Sequence, residues 1–104
     1  MLFIFKSTKI MKSKVVGLDI SKSTLDATIV FQGVNENWHD SFLNKEFGFS
    51  QLLKWVGKLA SPSEVLFCLE HTGYYSRELC SFLDKKGLDY ALLKALNGEK
   101  IFGS

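Results

Sequence analysis

The sequence is short of cysteine, proline and unbroken apolar runs, and each shortage closes a class. Only Cys68 and Cys80 occur. One falls in an expected strand and the other in an expected helix, both among apolar neighbours, which favours buried free thiols over a disulfide framework and fits a reducing cytoplasm. No apolar stretch approaches the roughly 18 residues of a membrane span, and Leu2 to Phe5 is too short for the apolar region of a signal peptide, so a soluble cytoplasmic protein is expected. Charge of one sign is also lacking: 13 Lys and Arg against 11 Asp and Glu leave +2. That surplus is too small for a dense basic face to be read from composition. There is no internal repeat, low-complexity tract or interdomain linker.

What remains is a chain of 104 residues with 46% hydrophobic content, one domain's worth of polypeptide with ample material for a packed core. Met11 stands directly before Lys12-Ser13-Lys14 and the first convincing strand. Residues 1–10 therefore read as an upstream extension, 11–94 as the folded domain, and 95–104 as an unassigned tail. Deleting the extension is expected to leave the thermal midpoint nearly unchanged; a large drop on calorimetric scanning would refute this.

Lys14 to Ile20 is a nearly continuous apolar stretch, as expected of a central strand covered on both faces, with Asp19 its charged interruption. Ser21-Lys22-Ser23 supplies a turn. Thr24 to Gln32 then alternates, with Leu25, Ala27, Ile29 and Phe31 on one side and Asp26, Thr28 and Gln32 on the other, the pattern of a hairpin partner with a wetter face. Trp38 to Leu43 is a more polar third strand near the sheet edge. Asn44 is a plausible helix cap, and Phe49, Leu52, Leu53, Val56, Leu59 and Ala60 share one helical stripe running to about Ala60. Ser61-Pro62-Ser63 ends that helix. Glu64 to Glu70 is a second buried strand closing on a carboxylate. After Thr72-Gly73, Tyr75, Leu79, Phe82 and Leu83 recur at helical spacing up to Gly87, a good C-terminal cap, and Leu88 to Lys94 is a last short strand.

The order is three strands in meander fashion, then helix, strand, helix, strand, with crossovers long enough for parallel pairing. It predicts an α/β fold: an RNase H-like mixed five-stranded sheet with helices packed on it.

Two residues carry most of the chemical signal. Asp19 and Glu70 each end an otherwise apolar strand, where a buried unpaired charge is expensive and must be compensated. If their strands are neighbours, both emerge at the same end of the sheet, the usual location of α/β sites. Magnesium or manganese is a natural partner, since such ions take oxygen ligands and retain water; two of them about 3.5–4 Å apart could serve a phosphodiester. The bland alternative, a turn-forming Asp and a Glu favouring a helix N-terminus, has about even odds on the residues alone.

Val-Val-Gly-Leu-Asp-Ile-Ser-Lys at residues 15–22 and Leu-Glu-His-Thr-Gly-Tyr-Tyr at 69–75 together resemble the DEDD transposases of the insertion sequence one-ten family, also called Piv/MooV-like. Phe42-Leu43-Asn44 with the following helix, and the Arg77-Glu78-Leu79 region, extend the similarity over roughly residues 12–92. The resemblance implies a RuvC-like domain whose first two acids are Asp19 and Glu70, and magnesium-dependent strand cleavage and transfer during DNA transposition and recombination of an insertion sequence. It implies DNA as partner, with an element-encoded guide RNA and a transposase homo-oligomer as further candidates. It also implies two later aspartates and a catalytic serine, so the C-terminal part of the fold is expected to lie beyond this chain. Asp84 and Asp89 are no substitutes. Complete catalysis by this chain alone is not expected, and any metal should bind it weakly.

Among the other residues, Lys22 is the basic side chain nearest the two carboxylates and a candidate phosphate contact, with a solvated lysine about as good a reading. Tyr74 is a candidate nucleic-acid contact. Tyr75 lies on the apolar stripe, and Thr72 and Gly73 shape the turn. His71 is weighted roughly three to one toward packing, because neighbours in extended chain point opposite ways. Asp26 reads as surface. Trp38 and Trp55 read as partial core, neither sitting in a basic-aromatic cluster. An actin-like or sugar-kinase-like ATPase fragment is the rival enzyme, disfavoured because Ser21-Lys22-Ser23 lacks the glycine that lets backbone approach a nucleotide phosphate. A truncated, non-catalytic chain that binds nucleic acid or transposase is the rival without chemistry.

Overall fold

The computed structural model describes residues 14–70 and 74–93, together with the backbone of 95–96 and 99–100. The expected upstream extension at 1–10, the residues His71, Thr72 and Gly73, and most of the tail lie outside the described residues.

Three strands open the fold: β1 (Lys14–Ile20), β2 (Thr24–Phe31) and β3 (Asn37–Leu43). Helix α1 (Glu46–Gly57) follows, then β4 (Val65–Glu70), α2 (Arg77–Lys86) and β5 (Tyr90–Leu93). The sheet order is β3-β2-β1-β4-β5. The hairpin pairs are antiparallel, while β1–β4 and β4–β5 are parallel. This is the α/β arrangement expected from the order of elements, with β1 at the centre. A short antiparallel hairpin, β6 (Ala95–Leu96) and β7 (Glu99–Lys100), occupies part of the tail that the sequence left unassigned.

Alternation assigns each side chain of the sheet to a face. Val16, Leu18 and Ile20 of β1, Leu25, Ala27 and Ile29 of β2, and Val65, Phe67 and Leu69 of β4 form one buried cluster with Phe49, Leu52 and Val56 of α1 and Leu79, Phe82 and Leu83 of α2. The helices meet through Phe49 and Phe82, whose ring centroids are 5.4 Å apart. Leu66, Cys68 and Leu93 point to the opposite face and form a second, smaller cluster with Val15 and Ala91. The apolar run of β4 thus reflects burial on both sides, as expected.

Two local features pin the frame. Helix α2 ends at Gly87, whose φ of 68° is left-handed, and the amides of Gly87 and Leu88 donate to Asp84 and Leu83 carbonyls at 3.0 Å each. This is the Schellman closure that the Lys-Lys-Gly sequence suggests. At the start of α1, a Cβ on Gly48 would lie 1.9 Å from the Leu43 carbonyl oxygen. Only glycine lets β3 turn so tightly into the helix.

The expected Asn44 cap is corrected. Lys45 occupies the cap position without a side-chain hydrogen bond, and the Asn44 amide is used for a tertiary contact instead. Tyr75 is corrected as well. It lies in a 3₁₀ turn at Tyr74–Ser76 ahead of α2, and is 42% exposed rather than part of the apolar stripe.

Candidate metal and nucleic-acid site

The parallel register of β1 and β4 runs to the pair Leu18–Leu69. The next residue on each strand is a carboxylate, Asp19 and Glu70. Leu18 and Leu69 both face the helices, so by alternation Asp19 and Glu70 both turn to the opposite face. They stand at the carboxyl end of adjacent strands, where the chain runs from β1 to β2 on one side and re-enters the sheet at β4 on the other. Such a point leaves a crevice at the strand ends.

The structure brings these two residues to one rim but corrects the premise that they are buried charges. Asp19 is exposed and Glu70 half-buried: Asp19 turns to the less covered face between the buried Leu18 and Ile20, and Glu70 is the last residue of β4. Asp26, read as a surface residue, stands opposite Asp19 in the hairpin register. It shares the same face, and its carboxylate accepts a hydrogen bond from Ser41 Oγ. The signal was available in the sequence: a tight Ser21–Thr24 turn makes Ile20–Leu25 and Asp19–Asp26 pairs. Among the described residues, no group of three or more His, Cys, Asp or Glu side chains is gathered closely enough to hold a metal by itself.

Lys22 tips the β1–β2 turn. That turn is closed by the Ser21 amide donating to the Thr24 carbonyl at 2.8 Å and by Ser21 Oγ donating to the same oxygen at 3.0 Å. Across from it, Tyr74 is 74% exposed. Lys22 and Tyr74 line one groove of about 520 Å³ with Asn44, Tyr75, Arg77, Glu78 and Ser81. The Arg77 guanidinium lies over the Tyr74 ring, 5.2 Å from its centroid, within the range of a cation–π contact. Sequence reasoning missed Arg77, although its spacing three residues after Tyr74 put both on one side of a helical turn.

The cysteines are free thiols as expected, Cys68 buried but Cys80 only half-buried. Burial pushes the Cys68 thiol up to about 12. Cys80 is also raised, first by burial and then by the Asp84 charge. Neither is a ready thiolate ligand or nucleophile. Trp55 is half-buried and packs against Phe42 at 5.5 Å, as expected of a partial core residue. The expectation that it sits in no basic-aromatic cluster is corrected: Lys54 and Lys58 line a groove with Trp55, Phe42 and Asp40.

The fold and this rim define an RNase H-like α/β domain with carboxylates at the ends of its central parallel strands. Residues 16–102 match the transposase family DEDD_Tnp_IS110. The chain belongs to that family, the DEDD transposases of the IS110 type. No curated protein matches. Among solved structures, the Aquifex aeolicus member of the Ppx/GppA protein family overlaps with a TM-score of 0.44 at 10% identity, over 78% of this chain and 35% of that one. That overlap is too loose to bear on function. No helix among the described residues is long and apolar enough to cross a membrane.

Proposed function

We propose that this domain contributes the first two carboxylates, Asp19 and Glu70, to the metal-dependent DNA-cleaving site of a transposase acting in transposition and recombination of an insertion sequence. Family membership makes DNA the partner. The observation that carries the residue assignment is the β1–β4 register, which ends one residue before a carboxylate on each strand. Two hard oxygen donors on a face open to water suit magnesium or manganese, which keep several water ligands, better than zinc. Asp19 and Glu70 would hold the ion. When bound, it would polarise a phosphoryl oxygen and make water or a hydroxyl a better nucleophile at neutral pH.

The chain's own residues then divide the remaining work. Lys22 and Arg77 offer positive charge to a phosphate in the groove between the β1–β2 turn and α2, and Tyr74 offers an aromatic face. Asp84 does not complete the acidic set. It accepts a hydrogen bond from the Tyr90 hydroxyl at 3.0 Å at the start of β5, the opposite rim from Glu70. Asp89 also precedes β5. The two further aspartates and the serine that the family resemblance implies must therefore come from elsewhere in the assembled transposase. A guide RNA and a homo-oligomer belong to the same proposal.

The test is a titration of the purified chain with magnesium, then with ATP, following backbone amide shifts. Metal-dependent shifts centred on residues 18–20 and 69–70 support the assignment. Shifts at Ser21 to Ser23 with ATP, and none with metal, would favour the kinase-like alternative.

A further inference from the structure

We propose that the groove between the β1–β2 turn and the start of α2 seats one unpaired nucleotide of single-stranded DNA, with its base against Tyr74 and its phosphate on Arg77 and Lys22, and that Asn44 is the positioning residue that fixes the seat. The choice of DNA rests on the function proposed above. The seat itself rests on the following observations.

Exposed apolar surface gathers at this rim. Tyr74 and Tyr75 are exposed, and so are Leu43 and Phe47 where β3 passes into α1; the only other large hydrophobics exposed among the described residues are Val30, Val34 and Leu92. A tyrosine that is 74% exposed contributes little to the core, yet Arg77 lies over its ring. Aromatic rings paired with guanidinium groups are the platforms on which unpaired bases stack, because every base has a π-face. A base inside a duplex has its faces already covered and cannot use such a platform. The local charge sets the size of the site. Lys22 and Arg77 are offset by Glu78, leaving about one net positive charge, enough for a single phosphate and too little for a backbone track.

Asn44 explains why the two halves of the groove face each other. Its amide nitrogen donates to the Ser21 carbonyl at 2.9 Å and to the Tyr75 carbonyl at 3.0 Å. Its backbone amide donates to the Ser23 carbonyl at 2.9 Å. One residue therefore ties the Lys22 turn to the tyrosine segment, which is remote in sequence. Both amide hydrogens are committed, and the Asn44 side-chain oxygen is buried without a hydrogen-bond partner. That cost indicates that the tether dictates the orientation of the amide.

The test uses the whole chain with single-stranded DNA carrying 2-aminopurine, in EDTA so that metal plays no part. Binding with quenching of the fluorophore is expected. Tyr74→Ala should weaken binding by about tenfold or more, given the usual size of base–aromatic stacking. Tyr74→Phe should stay within about twofold, since the ring rather than the hydroxyl is used. Arg77→Ala should lower the salt dependence by about one phosphate. Asn44→Ala should lose the quenching signal while residual salt-sensitive binding survives, a split that loss of folding would not produce. Gln51→Ala, exposed on α1 away from this groove, should leave all of this unchanged, and the EDTA separates the seat from the metal reading. Equal affinity for duplex, no effect of Tyr74→Ala, or loss of binding in Gln51→Ala would each overturn the seat. Tighter binding of RNA of the same sequence would overturn the assignment to DNA.

Discussion

The two faces of the sheet are built from the same strands and do different work. Toward α1 and α2, alternate residues of β1, β2 and β4 are apolar apart from Lys14 at the start of β1, which pairs with Glu64 at 3.2 Å, and most are completely buried. On the other face, the residues between them change character along and across the sheet. Leu66, Cys68 and Leu93 are buried in a small cluster near β4 and β5. Thr28 and His39 hydrogen-bond at 3.1 Å on β2 and β3, and Asp19, Asp26 and Glu70 stand at the rim. Stability is concentrated on the first face, where every side chain removes apolar area from water. The second face is less completely covered and accommodates polar groups, a hydrogen-bonded pair within β2 and β3 and carboxylates toward the rim.

That contrast can be broken most forcefully from the helix side. Phe67 is fully buried at the centre of the sheet, so Phe67→Ala should cost about 3–5 kcal/mol, enough to unfold most molecules of a marginally stable domain. Denaturant unfolding followed by circular dichroism reads this directly. Gly48→Ala comes next. Alanine is ordinarily the better helix former, but the new methyl would collide with the Leu43 carbonyl. A loss of about 1–3 kcal/mol is expected from the forced shift, and a gain would show that β3 does not press on α1 as described.

A pH effect sharpens the comparison on the second face. Burial raises the Cys68 thiol from 9.0 to about 12, and Tyr90 rises from 10.0 to about 12, through burial first and its hydrogen bond to Asp84 second. Between roughly pH 9 and pH 12 the folded chain keeps protons that the unfolded chain releases. Stability should therefore be unaffected by these groups below pH 9 and fall as pH rises through that window. Cys68→Ala should flatten part of the fall in a comparison of unfolding midpoints at pH 8 and pH 11. The smallest effect is expected at the rim. Asp19 is exposed, so the gain that a buried, uncompensated charge would give on neutralisation disappears. Asp19→Asn should change stability by no more than about 0.5 kcal/mol in either direction while removing the response to metal.

The layout of strands and helices was legible in the sequence because the apolar runs differ in kind. The continuous run in β4 marks two-sided burial, strict alternation in β2 marks one face, and the Gly87 cap follows from local chemistry alone. The equally apolar run of β1 misleads, because its second face is half-buried at Val15 and Gly17 and exposed at Asp19. The positions of Asp19 and Glu70 at strand ends were equally plain. Their exposure was not, since composition shows a charge in an apolar run without showing which face of the strand is left uncovered. Asn44 resembles a helix cap locally, and only the tertiary approach of Ser21 and Tyr75 reveals its use. Tyr75 reads as part of the apolar stripe and Arg77 is passed over for a related reason: the Tyr74–Arg77 spacing is local, but the groove that gives it meaning is made by three separated segments.

The central claim is that Asp19 and Glu70 share one cation at one rim. Paramagnetic broadening by substoichiometric manganese in the amide spectrum tests it most directly. Residues around Asp19 and Glu70 should broaden together, and Asp19→Asn and Glu70→Gln should each abolish broadening at both strands. Broadening at only one strand, or a stronger effect around Asp84 and Asp89 at the far rim, would contradict it.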